Sequence, residues 1–201
     1  MRINRILCIA LWGLLTWSAG LLLDTPARAE LYSVTTPGTF GLPNSVAYGI
    51  NHAGQVVGYA ATPDNRMTHG FIYSDGTMTS LGALGGGRET SIARGINKAG
   101  QVVGQAYTAN FVLLHAFLYS DGTMTDLGTL GGSYSNAYGI NNAGQVVGVA
   151  STTQDATSQA FLYSNGTMTG LGTLGGSNSI AYGITITPDR WSDMPQRLII
   201  R

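Results

Sequence analysis

Short apolar segments separated by glycine-containing turns follow one another along most of the chain. In the third copy of this pattern, we predict four strands, called a to d, at 136–141, 145–150, 159–164 and 167–172. Strands a and b meet at Asn-x-Ala-Gly and strands c and d at Asn-Gly, and both sequences tolerate the positive φ of tight turns. We therefore expect four antiparallel strands joined by hairpins.

This pattern returns with a period of about 45 residues. The sequence Tyr-Gly-Ile-Asn at 48–51 becomes Arg-Gly-Ile-Asn at 94–97 and Tyr-Gly-Ile-Asn again at 138–141, and its first three residues recur at 182–184. A fixed period of this length is typical of repeat architectures. We therefore predict three full four-stranded units and flanking partial ones.

Strands b and c differ from strand d in how apolar and polar residues are distributed over their two faces. Val102-Val103 in strand b and the apolar run 116–119 in strand c do not alternate with polar residues, as expected for a sheet covered on both faces. Strand d mixes Met124 and Leu127 with threonines and an aspartate, which suits an outer strand. The predicted fold is an all-β, small or incomplete β-propeller, with a β-solenoid as the alternative.

Both ends of the repeated region leave closure of the propeller open. A segment similar to strand d, at 32–41, precedes the first unit, and a lone strand a at 180–186 follows the third. Known propellers typically have about 4 to 8 blades, and the repeat pattern stops after Ile184. Either residues 198–200 supply a strand b, or the chain is a truncated or frameshifted product.

The amino terminus has the features of an export signal. Two arginines precede an apolar stretch at 6–23, and Ala-Arg-Ala follows at 27–29. We predict a signal peptide at 1–29, a β-repeat domain at 30–187 and an atypical tail at 188–201, in a secreted, extracellular or periplasmic protein. The alternative is an uncleaved anchor, because about 18 apolar residues suffice to span a membrane.

Charge argues against nucleic acid as a partner. Cleavage removes three arginines and one aspartate from ten basic and ten acidic side chains, which leaves seven basic and nine acidic ones and a net charge of −2. Binding to phosphates requires clustered Lys and Arg, which this chain lacks. Cleavage also removes the one cysteine, and we expect no stable membrane insertion of the mature protein.

Several motifs of the repeat occur in a fixed order. They are His-Ala-Phe-Leu-Tyr at 115–119, Asp-Leu-Gly-Thr-Leu-Gly-Gly at 126–132, Gly-Ile-Asn at 139–141 and Gly-Gln-Val-Val-Gly at 144–148. Together they resemble the HAF-repeat family of probable extracellular bacterial proteins. The resemblance covers roughly residues 32–184. It implies an extracellular repeat protein and transfers no catalytic residues.

The sequence predicts no catalytic site, no metal site and no cofactor. The histidines lack the close spacing of zinc ligands. His69 and His115 share one repeat position, which Gln159 occupies in the third unit, so we expect them to have a hydrogen-bonding role. No predicted inner strand carries a carboxylate, and neither a Gly-x-Ser-x-Gly motif nor a phosphate-binding loop is present.

Binding is the better prospect, because the b-to-c loops vary most between units. In a propeller these loops emerge on the same face as the d-to-a crossings, and variable loops on a rigid scaffold commonly carry recognition. The alternative for the apolar second loop is that it packs into the core or extends strands b and c. The candidate ligand-binding residues are Tyr107, Phe111 and Leu113 in that loop and Arg88 and Tyr134 on the crossings.

The sequence thus predicts an exported, noncatalytic binding or interaction module whose ligand is an extracellular protein or glycan. One alternative is an enzyme acting on extracellular polysaccharides with carboxylates such as Asp126 or Glu89. Another is a truncated structural fragment of a larger propeller, which self-associates through an open blade edge.

Overall fold

The computed structural model describes residues 38–40, 44–63, 67–85, 90–108, 113–185 and 198–200. These residues form β-strands, turns and one short 3₁₀ turn at Thr153–Asp155, so the protein is all-β, as predicted. The predicted signal peptide and most of the predicted tail lie outside the described residues. Across the described ranges, no helix has the length and apolar character that a membrane span requires.

The strands fall into four successive groups, which we call units 1 to 4. Unit 1 contains β1 (Ser45–Ile50), β2 (Val56–Ala61), β3 (Thr68–Ser74) and β4 (Thr77–Gly82). Unit 2 contains β5 (Ser91–Ile96), β6 (Val102–Tyr107), β7 (Leu114–Ser120) and β8 (Thr123–Asp126). Unit 3 contains β9 (Gly131–Ile140), β10 (Val146–Thr152), β11 (Ser158–Ser164) and β12 (Thr167–Gly170). Unit 4 contains β13 (Ala181–Ile184) and β14 (Leu198–Ile200).

Within each unit, consecutive strands pair antiparallel, as the hairpin signals predict. Unit 1 is a sheet in the order β1-β2-β3-β4, and β13 and β14 form a pair. Units 2 and 3 join into one sheet because β9 also bridges β7 in parallel at Leu114 and Tyr134. None of these sheets closes on itself within the described residues.

One strand is longer than the sequence pattern indicates. β9 begins at Gly131 instead of residue 136, because Gly131 pairs with Thr152 and Ser135 pairs with Ala150 on β10. The crossing from unit 2 to unit 3 is therefore itself extended and hydrogen bonded.

The c-to-d hairpin turns have the predicted type I′ conformation. Asp121 and Gly122 have φ of 52° and 80°, and the turns of units 1 and 3 have nearly the same values. The a-to-b turns differ from the prediction, because the glycine takes positive φ while the asparagine does not. Asn97 instead accepts hydrogen bonds from the Ala99 and Gln101 N–H groups, both at 3.0 Å. Its carboxamide also donates across to the Asn141 carbonyl of unit 3, at 3.0 Å.

Apolar cores lie on both sides of the middle units. Val102 and Phe117 of unit 2 pack into a cluster with side chains of unit 1. The adjacent residues Val103 and Ala116 pack into a second cluster with side chains of unit 3. All four side chains are fully buried. The absence of alternation in strands b and c is therefore explained by burial of both faces, as predicted, whereas the threonines of β8 are exposed.

A serine three residues before each Tyr/Arg-Gly-Ile motif forms hydrogen bonds between its unit and the segment that precedes it. Ser135 accepts a hydrogen bond from the Ala116 N–H (2.8 Å) on β7 and donates to the Gly128 carbonyl. Ser91 and Ser179 make the corresponding pairs of bonds, and Ser45 donates to the Gly38 carbonyl at 3.1 Å. One hydroxyl thus satisfies two backbone groups of the neighbouring unit.

Unit 4 departs from the sequence of the others but retains a strand pair. Ile184 pairs with Leu198, and Ala181 pairs with Ile200. Residues 198–200 thus take the place of strand b in unit 4.

We predict that Phe117→Ala lowers the free energy of unfolding by about 3–5 kcal/mol, because it empties a fully buried site between units 1 and 2. Chemical denaturation provides the measurement. Leu174→Ala is the control, since Leu174 is fully exposed and should change stability little. Equal, small effects for both variants would contradict burial of strand c.

We expect Ser135→Ala to cost about 1–3 kcal/mol, because it leaves the Ala116 N–H and the Gly128 carbonyl without the bonds described above. Ser45→Ala is the matched control, since the bond described for Ser45 is to a single carbonyl in an exposed setting. Amide hydrogen exchange should show faster exchange at Ala116 in the first variant. Unchanged exchange there would contradict the bridging role.

Candidate binding groove

The b-to-c loops and the d-to-a crossings lie side by side at one end of the sheets, as predicted. Ser158, which ends the loop of unit 3, bridges in parallel to Asn178 on the following crossing. On the preceding crossing, the Ser133 N–H donates to the Asp155 carboxylate of the same loop at 2.7 Å. This hydrogen bond lowers the pKa of Asp155. Loop and crossing therefore form one connected surface.

Three of the five predicted site residues lie at this end. Tyr107 pairs with Leu114, Leu114 bridges to Tyr134, and Leu113 immediately precedes Leu114. The Leu113 carbonyl accepts a hydrogen bond from the Thr108 N–H at 2.8 Å, and this bond closes the base of the loop. Leu113, Tyr107 and Tyr134 are all half-buried. The other two predicted residues, Arg88 and Phe111, lie outside the described residues.

An open groove of about 460 Å³ is centred on β9, and of the predicted residues it includes Tyr134. Tyr134, Asn136 and Tyr138 occupy alternate positions of β9 and all line the groove. Unit 2 supplies Gln105 and Leu114. The far side is formed by Val149, Ser158, Asn178 and Ile180. We call these nine residues the binding groove, and none of them carries a charge.

Hydrogen bonds fix one wall of the binding groove. The Tyr134 hydroxyl bonds to the Ser158 hydroxyl, which orients the tyrosine ring. The Ser158 N–H in turn donates to the Asn178 side chain at 3.2 Å. Residues from three segments of the chain are thereby held together by hydrogen bonds.

Asn136 is the feature that sequence reasoning missed. The same register position is Val46 in unit 1, Ile92 in unit 2 and Ile180 in unit 4. Asn136 is 7% exposed, and its Oδ1 atom has no hydrogen-bond partner. Aligning the units would have identified Asn136 from the sequence, because it is the one polar residue at a position that is apolar in the other three units.

A row of stacked side chains borders the binding groove. The Arg94 guanidinium lies 5.2 Å from the Tyr48 ring centre and 5.3 Å from that of Tyr138. Tyr138 also contacts Tyr182, with ring centres 4.9 Å apart. Burial raises the pKa of Tyr138 above its ordinary value, although Arg94 and a hydrogen bond from Asn136 act to lower it. The Tyr138 hydroxyl is therefore protonated at neutral pH and able to donate.

The histidines have the hydrogen-bonding role that their repeat position predicts. His115 Nδ1 lies 2.7 Å from the Asp126 carboxylate, and His69 Nδ1 lies 3.0 Å from the Ser80 hydroxyl. Asp126 also accepts from the Gly128 N–H at 2.7 Å, so this carboxylate is occupied in holding the end of β8. Glu89, the other acid considered for polysaccharide hydrolysis, lies outside the described residues.

The chemistry available at the binding groove is uncharged hydrogen bonding combined with apolar contact. Where the structure describes the chain, no three His, Cys, Asp or Glu side chains cluster as metal ligands. No protein-family model and no curated protein matches the chain. The groove residues themselves are thus the basis for a functional proposal.

We predict that Arg94→Met raises the pKa of Tyr138 further. The substitution removes the cation that favours the phenolate and keeps an apolar side chain between the tyrosine rings. Carbon-13 NMR of the tyrosine Cζ atoms during a pH titration measures the effect. Lys98→Met, which removes an exposed cation of the same unit, should leave the titration unchanged. A lower Tyr138 pKa in Arg94→Met would contradict the stacked arrangement.

Proposed function

We propose that the protein is an exported, noncatalytic repeat protein of the HAF-repeat kind that binds an extracellular ligand, a protein or a glycan. The observation that carries the proposal is the binding groove, where the variable loops of the sheets meet the crossings. Ligand sites commonly combine apolar walls with a few placed polar groups, and this lining has that composition. The recurring motifs and the amino-terminal sequence favour an extracellular repeat protein.

We further propose that the units are blades of a small or incomplete β-propeller. Burial of both faces of unit 2 supports this arrangement, since blades stack on two neighbours. The bond from Ser45 to the Gly38 carbonyl matches the bond from Ser91 to Gly82, and thus supports a strand d before unit 1. Unit 4 and that preceding segment together would make one shared blade.

Ligand capture by the purified protein tests the binding function. Immobilised protein is offered a panel of neutral and acidic oligosaccharides and, separately, a library of displayed peptides. We expect one class to be retained, and Tyr134→Ala to weaken its binding by about tenfold or more, as for a central aromatic contact. Tyr73→Ala is the matched control, because Tyr73 lies on β3 of unit 1, away from the stacked row, and does not line the binding groove.

Failure to retain any member of either panel would contradict the binding function. Retention that is equally weakened by both tyrosine variants would indicate a general loss of structure, which circular dichroism of the variants detects. Retention that neither variant weakens would place binding elsewhere on the molecule.

A further inference from the structure

We propose, on the basis of the binding function above, that the ligand is an uncharged glycan and that the Asn136 carboxamide oxygen accepts a hydrogen bond from a sugar hydroxyl. The inference starts from a polar atom that the fold leaves unsatisfied. Asn136 lines the binding groove, and its buried Oδ1 atom has no hydrogen-bond partner among the described residues. Buried polar groups in folded proteins are normally hydrogen bonded, so each exception needs an explanation.

The scaffold does not need an asparagine at this position. Units 1, 2 and 4 have Val46, Ile92 and Ile180 there, each next to the same serine. Val46 and Ile92 lie in β1 and β5, the counterparts of β9. A buried, unsatisfied amide destabilises the folded state relative to such a side chain. The presence of Asn136 in unit 3 therefore indicates a role outside folding, and the place of this residue in the lining of the groove indicates that the role is contact with a ligand.

Hydrogen-bond chemistry defines the group that completes this site. A carboxamide oxygen accepts, so the ligand must donate a hydroxyl or an N–H. The neighbouring Tyr138 hydroxyl, kept protonated by burial, both donates and accepts. Sugar hydroxyls also do both, and a pair of them matches a tyrosine hydroxyl beside a carboxamide.

The remaining lining fits a sugar ring better than a charged or purely apolar ligand. None of the nine groove residues carries a charge that could pair with a charged ligand, and the Arg94 cation that borders the groove is stacked between the Tyr48 and Tyr138 rings. Burying an unpaired charge is costly. A purely apolar ligand would leave Asn136 Oδ1 unsatisfied. The C–H face of a pyranose is weakly positive and packs on the negative face of an aromatic ring, and Tyr134 presents a ring held in place by its bond to Ser158.

The backbone of β9 disfavours the other ligand class, an extended peptide. Peptides commonly bind by adding a strand to a free sheet edge. β9 pairs with β10 along one edge, and its other edge is bridged to β7 at Tyr134, so a peptide strand cannot pair with β9 at that position. Recognition here has to come from side chains, as is usual for a saccharide.

The test is a titration of the unaltered protein with neutral tetrasaccharides of glucose, mannose, xylose and N-acetylglucosamine, with oligogalacturonate as the charged counterpart. We expect at least one neutral tetrasaccharide to bind and to shift the Asn136 side-chain amide signal in the NMR spectrum. Asn136→Ile, which installs the residue of units 2 and 4, should weaken that binding tenfold or more while Tm stays equal or rises. Asn142→Ala, at an exposed asparagine of the same unit, should leave binding unchanged.

Three results overturn the inference: binding of the charged oligosaccharide alone, neutral binding that Asn136→Ile does not weaken, or a peptide ligand instead of a saccharide. The last of these leaves the proposed binding function intact. Absence of any ligand, saccharide or peptide, overturns both. If Asn136→Ile does not fold, the amide signal of the unaltered protein decides, because a bound saccharide that leaves it unshifted contradicts the contact.

Discussion

The close approach of each strand a to the unit on either side is the constraint on which the rest of the structure depends. A Cβ atom at Gly95 would lie 3.1 Å from the Tyr138 carbonyl oxygen and 3.7 Å from the Gly139 Cα atom, so only glycine fits there without displacement. The serine bridges then fix how each unit lies on its neighbour. Because these contacts are made by backbone groups and by the serine hydroxyls, the spacing of the units does not depend on the side chains in the loops.

That fixed spacing explains why the side chains of different units form continuous rows. Residues at one register position of strand a meet their equivalents in the next unit, as in the row of Tyr48, Arg94, Tyr138 and Tyr182. A substitution in a single unit then changes one point of a row and leaves the rest intact. Asn136 is such a point, in a row that is otherwise Val or Ile.

Much of the fold follows from local sequence, and much of the groove does not. The Asp-Gly and Asn-Gly turns and the unbroken apolar run in β7 were sufficient to predict antiparallel hairpins and strands buried on both faces. The start of β9 at Gly131 was missed because its pairing with Thr152 is a contact between crossing and loop, without a local signature. The sequence identified Tyr134 as a crossing residue. That Tyr134 lies beside Asn136 and Ser158 in a groove depends on how the units stack, which the sequence of a single strand does not specify.

The one-sided contacts of unit 1 have a consequence for how the molecule loses its structure. Stability in a stack of similar units is approximately the sum of each unit's own term and its nearest-neighbour interfaces. In the described residues, unit 2 has such interfaces on two sides, whereas the outward face of β1 leaves Tyr48 and Ile50 48% and 68% exposed. Unit 1 therefore opens locally at a lower free-energy cost than unit 2, because unfolding of unit 2 breaks interfaces on two sides.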